Sequence, residues 1–422
     1  MTLTEELEKR GLIEALTHEA VKAELDTKSI SFYAGFDPTA TSLHVGQLAL
    51  FNLMSILQRS GHKPVGLMGG ATGMIGDPGG KSAERNLQTV EKIAENIKGI
   101  SAQLTKFLGF EGGPKATIVN NMDWLGSISY IDFLRDVGKH FSVNQMVQRD
   151  SVKSRLEGAG ISYTEFSYML LQAYDFAELA KSHDVTLQIG GSDQWGNIVS
   201  GTDLARRLGQ KKQLFGMTMP LVTKSDGSKF GKSESGTIWL SPELTSPYAF
   251  YQFFLRTPDE DVIRFLKVFT QVDLDVITEL EESVKTEAHL RKAQKALAQA
   301  VTTVVHGADQ LTRVEQASQV LFGQKIENLD DKTIGEIFAE VPSTKVKKVT
   351  LEAGWSLIDA LVETEACKSK GQARKLIEGG GVYLNNNAIQ GVDTSLSLSD
   401  LASESYLVIR TGKKNYRLVE AE

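Results

Sequence analysis

The chain has 422 residues, more than one ordinary hydrophobic core organises, so two or three domains are expected. Hydrophobic residues at 41% and charged residues at 23% exclude a disordered or fibrous chain, and a net charge of −7 admits a nucleic-acid partner only through a local basic patch. The single cysteine, Cys367, excludes an intramolecular disulfide framework and any cysteine-based zinc site, and suits a reducing compartment.

The opening MTLTEELEKRGLIEALTHEA interleaves acid and base with no apolar stretch, and reads as an amphipathic helix rather than a signal peptide. No apolar run approaches the roughly 20 residues of a membrane span. A cytoplasmic chain without a membrane partner is therefore expected. From Ile30 to about Val222, short apolar runs alternate with helical stretches. ISFYAGF, KPVGLMGG, ATIVNNM and VTLQIGG read as strands, and LALFNLMSILQRSG and VSGTDLARRLG as helices. That alternation predicts a doubly wound α/β domain whose parallel sheet binds ligands beyond the carboxyl ends of its strands. The domain is expected over 1–222.

A glycine- and serine-rich loop follows over 223–246, then a helical domain over 247–321, where segments such as DEDVIRFLKVFTQVDLDVITELEESV carry helical apolar spacing. Periodicity weakens over 322–354, and VPSTKVKKV reads as linker. The tail 355–422 is a small α+β domain. WSLIDALVETEA is helical, Ser369 can cap a second helix KGQARKLIEGG, and VYLNN, SYLVIRTG and NYRLVE are strand-like. From Ser343 to the end the net charge is +1, against −8 for the remainder.

Two short motifs carry chemistry. Phe36-Asp37-Pro38-Thr39 leads to His44-Val45-Gly46-Gln47 directly after a strand and opens a helix, whose unpaired N–H groups and dipole suit a phosphate. Gly46 leaves room for close ligand approach, and His44 can donate to a phosphate oxygen. Lys229-Phe230-Gly231-Lys232-Ser233 lies in SDGSKFGKSESG, where two lysines flanking a flexible turn can clamp a triphosphate. Each alone reads as an ordinary turn or a solvated basic loop; together, flanking one doubly wound domain, they point to nucleotide chemistry. The other histidines show no metal-ligand spacing, so no metal site is expected.

The motif pair resembles the two signatures of class I aminoacyl-tRNA synthetases. YAGFDPTATSLHVGQ, GDPGGKSAERN, SYMLLQAYD and IGGSDQWGN resemble the bacterial tyrosyl-tRNA synthetase family, and SKGQARKLIEGGGVYLNNNAI resembles the S4 RNA-binding domain. The resemblance runs from about Leu3 to the C-terminus. It implies a Rossmann-like catalytic domain, a helical anticodon-recognition domain and an S4-like domain. It also implies activation of tyrosine with ATP and its transfer to the terminal ribose of a tRNA.

By resemblance, Tyr33 and Asp175 read the substrate hydroxyl, and Asp77, Tyr168 and Gln172 hold its ammonium end. Tyr168, Gln172 and Asp175 stand four and three residues apart, so one helix face can present all three. The resemblance places Gly35, Asp37, Gly191, Asp193 and Gln194 around the amino-acid carboxylate and the ribose, with Gly46 and Gln47 also at the nucleotide. Thr39 and His44 are implied at the terminal phosphate, and Lys81, Arg85, Lys229 and Lys232 at the departing pyrophosphate. Gln47 departs from the family's usual histidine and cannot carry charge. Lys370, Arg374, Lys375, Lys413 and Lys414, with Arg417, are candidates for RNA phosphates. The expected partners are tRNA(Tyr), L-tyrosine, ATP bringing Mg²⁺ with it, and a second copy of the chain, with Tyr130 to Phe166 matching the family's dimer interface. A tightly bound cofactor is not expected. Two alternatives stand beside this reading. One is a synthetase for tryptophan, which leaves the Tyr33–Asp175 pair without a purpose; the other is an RNA-binding protein that has lost activation.

Overall fold

The computed structural model describes the chain except residues 80–87, 110–112, 159, 228–229, 234–235, 340 and 413–414, and except the side chains of 150, 151, 154, 232, 233 and 322. It forms two compact units, Met1–Leu244 with Arg256–Val301, and Thr245–Leu255 with Thr302–Glu422.

A six-stranded sheet organises the first unit. Its strands are β1 (Ala15–Leu16), β2 (Ser31–Phe36), β3 (Lys63–Met68), β4 (Thr117–Asn120), β5 (Val185–Gly191) and β6 (Phe215–Met219), in the order β1-β6-β5-β2-β3-β4. β2 to β6 pair in parallel, and β1 adds antiparallel to β6. The four expected strands are present. FGMTM is buried at every position and so lacks the alternation that marks a strand from sequence. The N-terminal helix is shorter than expected. Gly11, at φ 71°, caps Leu3–Arg10 in the left-handed conformation, and β1 follows instead of more helix.

Side chains of β2 point alternately to the two faces of the sheet. Tyr33 joins Val65, Leu67, Phe176, Leu179 and Val185 in one core. Phe36 stacks on Phe51 at 5.4 Å, and Phe51 on Phe107 at 5.3 Å. A short hairpin, β7 (Lys232–Ser233) with β8 (Gly236–Thr237), follows β6. The segment 247–321 is largely helical, but it is divided between the units. Asp259–Phe269 and Leu274–Thr286 belong to the first, Pro247–Leu255 and Ala308–Gln319 to the second.

The second unit carries β9 (Ser343–Val346), β10 (Trp355–Ser356), β11 (Val382–Leu384), β12 (Asn387–Ile389), β13 (Ser395–Leu396), β14 (Tyr406–Thr411) and β15 (Asn415–Ala421). A sheet β12-β11-β14-β15-β9 packs with helices Leu357–Glu363 and Lys370–Glu378 around Leu357, Leu361, Ile377, Leu407 and Val419. Ser369 caps the second helix as expected, its Oγ accepting the Gln372 N–H at 3.3 Å. Residues 343–346 differ from their expected place in a linker: they form β9, parallel to β15. Their partner lies far along the chain, and a four-residue, half-exposed edge strand shows no local period. No described helix is long and apolar enough to cross a membrane.

Asn385 and Asn386, at φ 49° and 63°, make the two-residue turn between β11 and β12. Asn386 Nδ2 donates to the Val320 and Gln324 carbonyls at 2.9 and 2.7 Å, and its Oδ1 accepts Arg410 Nε–H at 2.7 Å. Asn386→Ala strands those groups and leaves a left-handed alanine, for an expected cost of about 2–3 kcal/mol. Hydrogen exchange should accelerate in β11 and β14 and stay unchanged in β2 and β3.

Candidate functional site

The carboxyl ends of β2, β3, β4 and β5 open on one network of polar side chains. Asp37, just past β2, accepts the Thr72 hydroxyl at 2.9 Å and the Tyr168 hydroxyl at 3.0 Å. Gly69, after β3, fits only because it lacks a side chain: a Cβ there would lie 2.3 Å from Asp37 Oδ1. Asp77 is buried and accepts the Gly79 N–H and the Gln194 Nε2–H, each at 2.8 Å. Gln194 Oε1 in turn accepts Gln172 Nε2–H at 3.0 Å, and Asn197 Nδ2–H bridges to Gln172 Oε1 at 2.9 Å. Helix Tyr163–Ser182 supplies Tyr168, Gln172 and Asp175 from one face, as their spacing predicts.

Beneath this network Tyr33 is fully buried, its ring 5.2 Å from Phe176, and its hydroxyl has no hydrogen-bond partner among the described residues. Burial, and then the Asp175 charge, push its pKa well above the ordinary phenol value. Asp175 is itself buried. Trp124 Nε1–H donates to its Oδ1 at 2.8 Å and Asn121 Nδ2–H to its Oδ2 at 3.0 Å. Burial raises the Asp175 pKa to about 7; the two donors pull it down, and Asp37 pushes it up. Tyr168 is raised by burial and then by Asp37 and Asp77. Each carboxylate oxygen retains acceptor capacity beyond its one donor. The site therefore pairs a phenol lacking a partner with three convergent carboxylates, a match for a ligand carrying a hydroxyl at one end and a cation at the other.

The two signature turns meet backbone to backbone. Val45 N–H donates to the Ile238 carbonyl at 3.0 Å and Ile238 N–H to the Gly231 carbonyl at 3.1 Å, beside a His44–Trp239 bridge. Gly231, at φ 94°, lies so close that a Cβ would come 3.2 Å from Val45 Cγ2. His44 Nδ1 accepts the Gly46 N–H at 3.1 Å, which puts the ring proton on Nε2. Gln47 Oε1 accepts the His44 N–H at 3.1 Å, closing a capping box and leaving the Gln47 amide nitrogen as donor.

Gly35 and Thr39 are exposed along the β2 exit, with the Thr39 carbonyl accepting Gln88 Nε2–H at 3.0 Å. Gly191 ends β5, and Asp193 is exposed in the turn after it. Lys81, Arg85 and Lys229 lie outside the described residues, and of Lys232 only the backbone, in β7, is described. Thr72, Asn121, Trp124 and Asn197 escape the sequence reading; only the position of Asn121 directly after strand β4 hinted at it. In the second unit Arg374 and Lys375 are exposed on their helix, and Lys370 pairs with Asp359 at 2.6 Å. Lys413 and Lys414 lie outside the described residues. Arg417 is half-buried on β15. Its guanidinium donates to the Thr364, Tyr416 and Glu365 carbonyls, closing the end of helix Leu357–Glu363.

A family model described as "tRNA synthetases class I (W and Y)" matches residues 25–323, and one described as "Tyrosine--tRNA ligase SYY-like C-terminal domain" matches 333–419. The chain is 50% identical over 424 residues to the tyrosine–tRNA ligase of Rhodopirellula baltica, covering 100% of this chain and 97% of that protein. It is 49% identical to that of Staphylococcus haemolyticus, covering 99% and 98%. Among solved structures, a C-terminally truncated mitochondrial tyrosyl-tRNA synthetase of Aspergillus nidulans superposes with a TM-score of 0.69 at 32% identity, covering 76% of this chain and 94% of that one.

Because folding lifts the Asp175 pKa from the ordinary 3.8 to about 7, the native state holds a proton that the unfolded chain has lost between those values. Stability contributed by this group is full below about pH 4 and falls as pH rises through 7, by on the order of a few kcal/mol. Asp175→Asn removes the slope and leaves a constant offset. Melting temperatures of the two proteins compared from pH 4 to 8 should therefore converge, or cross, as pH rises; a gap that stays constant overturns the assignment.

Proposed function

We propose, from the premise that this chain belongs to the class I tyrosine–tRNA ligases, that the network at the carboxyl ends of β2 to β5 binds L-tyrosine and joins it to ATP. A tyrosine–tRNA ligase performs two displacements. The substrate carboxylate attacks the α-phosphorus of ATP and expels pyrophosphate; a ribose hydroxyl of the tRNA then attacks the adenylate carbonyl and expels AMP. Neither step requires a protein nucleophile, so the residues act by positioning and by electrostatic stabilisation.

The observation that carries the reading is the Tyr33 hydroxyl, buried without a partner within electrostatic reach of Asp175. A substrate phenol satisfies both groups, whereas a phenyl ring leaves them unpaired in a site where an orphaned polar group costs about 1–3 kcal/mol. Trp124 and Asn121 aim Asp175 at that phenol. Asp77, Tyr168, Gln172 and Gln194 receive the ammonium. Gly35, Asp37, Gly191 and Asp193 surround the carboxylate and the ribose, and Gly46 and Gln47 the nucleotide, to which Gln47 presents its amide nitrogen. Thr39 and His44 contact the terminal phosphate of ATP, the latter through Nε2–H. Lys81, Arg85, Lys229 and Lys232 follow the charge onto pyrophosphate. Mg²⁺ arrives on the phosphates of ATP.

tRNA(Tyr) is the acceptor, its phosphates met by Lys370, Arg374, Lys375, Lys413 and Lys414, and the chain acts in the cytoplasm. Tyr130, Ile131, Val143, Leu156 and Tyr163 are each more than half exposed within the stretch implied as an interface, and a second copy of the chain covers them.

Tyr33→Phe is expected to reduce the tyrosine-over-phenylalanine ratio of kcat/KM in ATP–pyrophosphate exchange about tenfold; an unchanged ratio rejects the phenol-reading role. Ile131→Asp is expected to yield monomers in sedimentation equilibrium where the parent chain is dimeric. A parent chain that sediments as a monomer at micromolar concentration rules the dimer out.

A further inference from the structure

One helix grips the segment that carries Lys229 and Lys232. Asp259, Glu260 and Asp261 all stand in the first turn of helix Asp259–Phe269, where acids favour the dipole. The first two are exposed and serve that purpose in solvent, but Asp261 is only 1% exposed. Burying a third carboxylate costs free energy unless something specific offsets it. Asp261 Oδ2 accepts both the N–H and the Oγ–H of Ser225, at 3.1 and 3.2 Å, and its Oδ1 accepts Arg264 Nη2–H at 2.7 Å. The same Nη2 donates to the Thr223 carbonyl. One and two turns further along the same stripe, Phe265 and Phe269 hold the ring of Phe230, each centroid 4.8 Å away. Phe230 is the buried residue between the two lysines of the loop, and Gly231 beside it abuts the His44–Gly46 turn.

We infer that Asp261 and Arg264 are positioning residues for tyrosine activation: they clamp the Thr223–Ser225 stem, so that the lysine loop, plugged by Phe230, sits in register with the His44–Gly46 turn. Neither touches substrate. Their effect passes through the lysines, and the inference rests on the reading that those lysines hold the phosphates. The clamp should therefore matter where charge moves onto pyrophosphate and not where tyrosine binds.

Single-turnover adenylate formation at saturating ATP tests this with Asp261→Asn and with Arg264→Ala, the second at a partly exposed residue that leaves the buried carboxylate intact. Each is expected to slow the step about tenfold, with the tyrosine dissociation constant unchanged within about twofold. In a Lys232→Ala background the same substitutions should have little further effect, because the group they position is gone. Equal slowing in both backgrounds, a matched loss of tyrosine affinity, or no slowing at all overturns the inference. Lys232→Ala at the parent rate instead overturns the lysine reading, and the inference with it.

Discussion

At β2 the sheet changes direction, adding β3 and β4 on one flank and β5 and β6 on the other. Helical crossovers leaving β2 and β5 must then diverge, which opens a crevice between their carboxyl ends. Everything polar in the site descends from that vacancy in the topology. Asp37 leaves β2, Thr72 follows β3, Asn121 follows β4 and Gln194 follows β5, so four separate connections deliver side chains to one place. Helix Tyr163–Ser182 adds a fifth set from the face that packs on Tyr33.

Such convergence is costly for folding and useful for binding. Asp175 and Tyr33 are buried where water cannot solvate them, and Asn121 and Trp124 offset the burial of the carboxylate. The phenol of Tyr33 is left unsatisfied in the folded chain. A ligand that supplies the missing hydrogen bond recovers what folding gave up, and one that cannot supply it meets two unpaired groups. Selectivity here is thus stored as a local deficit in stability.

The nucleotide side works differently. The His44–Gly46 and Phe230–Gly231 turns are joined through Ile238, whose carbonyl accepts the Val45 N–H and whose N–H donates to the Gly231 carbonyl, and the glycines let the segments lie close. The capping box formed by Gln47 shows why that position accepts an uncharged residue: its carbonyl oxygen closes the helix start while its amide nitrogen remains for a ligand. The buried Asp261 and the Phe265–Phe269 pair extend the same logic outward, tying the lysine segment to a helix that makes no chemistry of its own.

Local patterns in the sequence determined what local physics controls. Apolar runs marked β2 to β5, Ser369 marked a helix start, and four- and three-residue spacing put Tyr168, Gln172 and Asp175 on one face. The family was legible as well, because its motifs are contiguous. Tertiary structure decided the rest. β9 found its partner some seventy residues away. Asn121 and Trp124 became partners of Asp175, and the Arg417 guanidinium found backbone carbonyls some fifty residues back. In each case the deciding contact joins residues whose separation in sequence exceeds any helical or strand period, so no pattern along the chain could announce it.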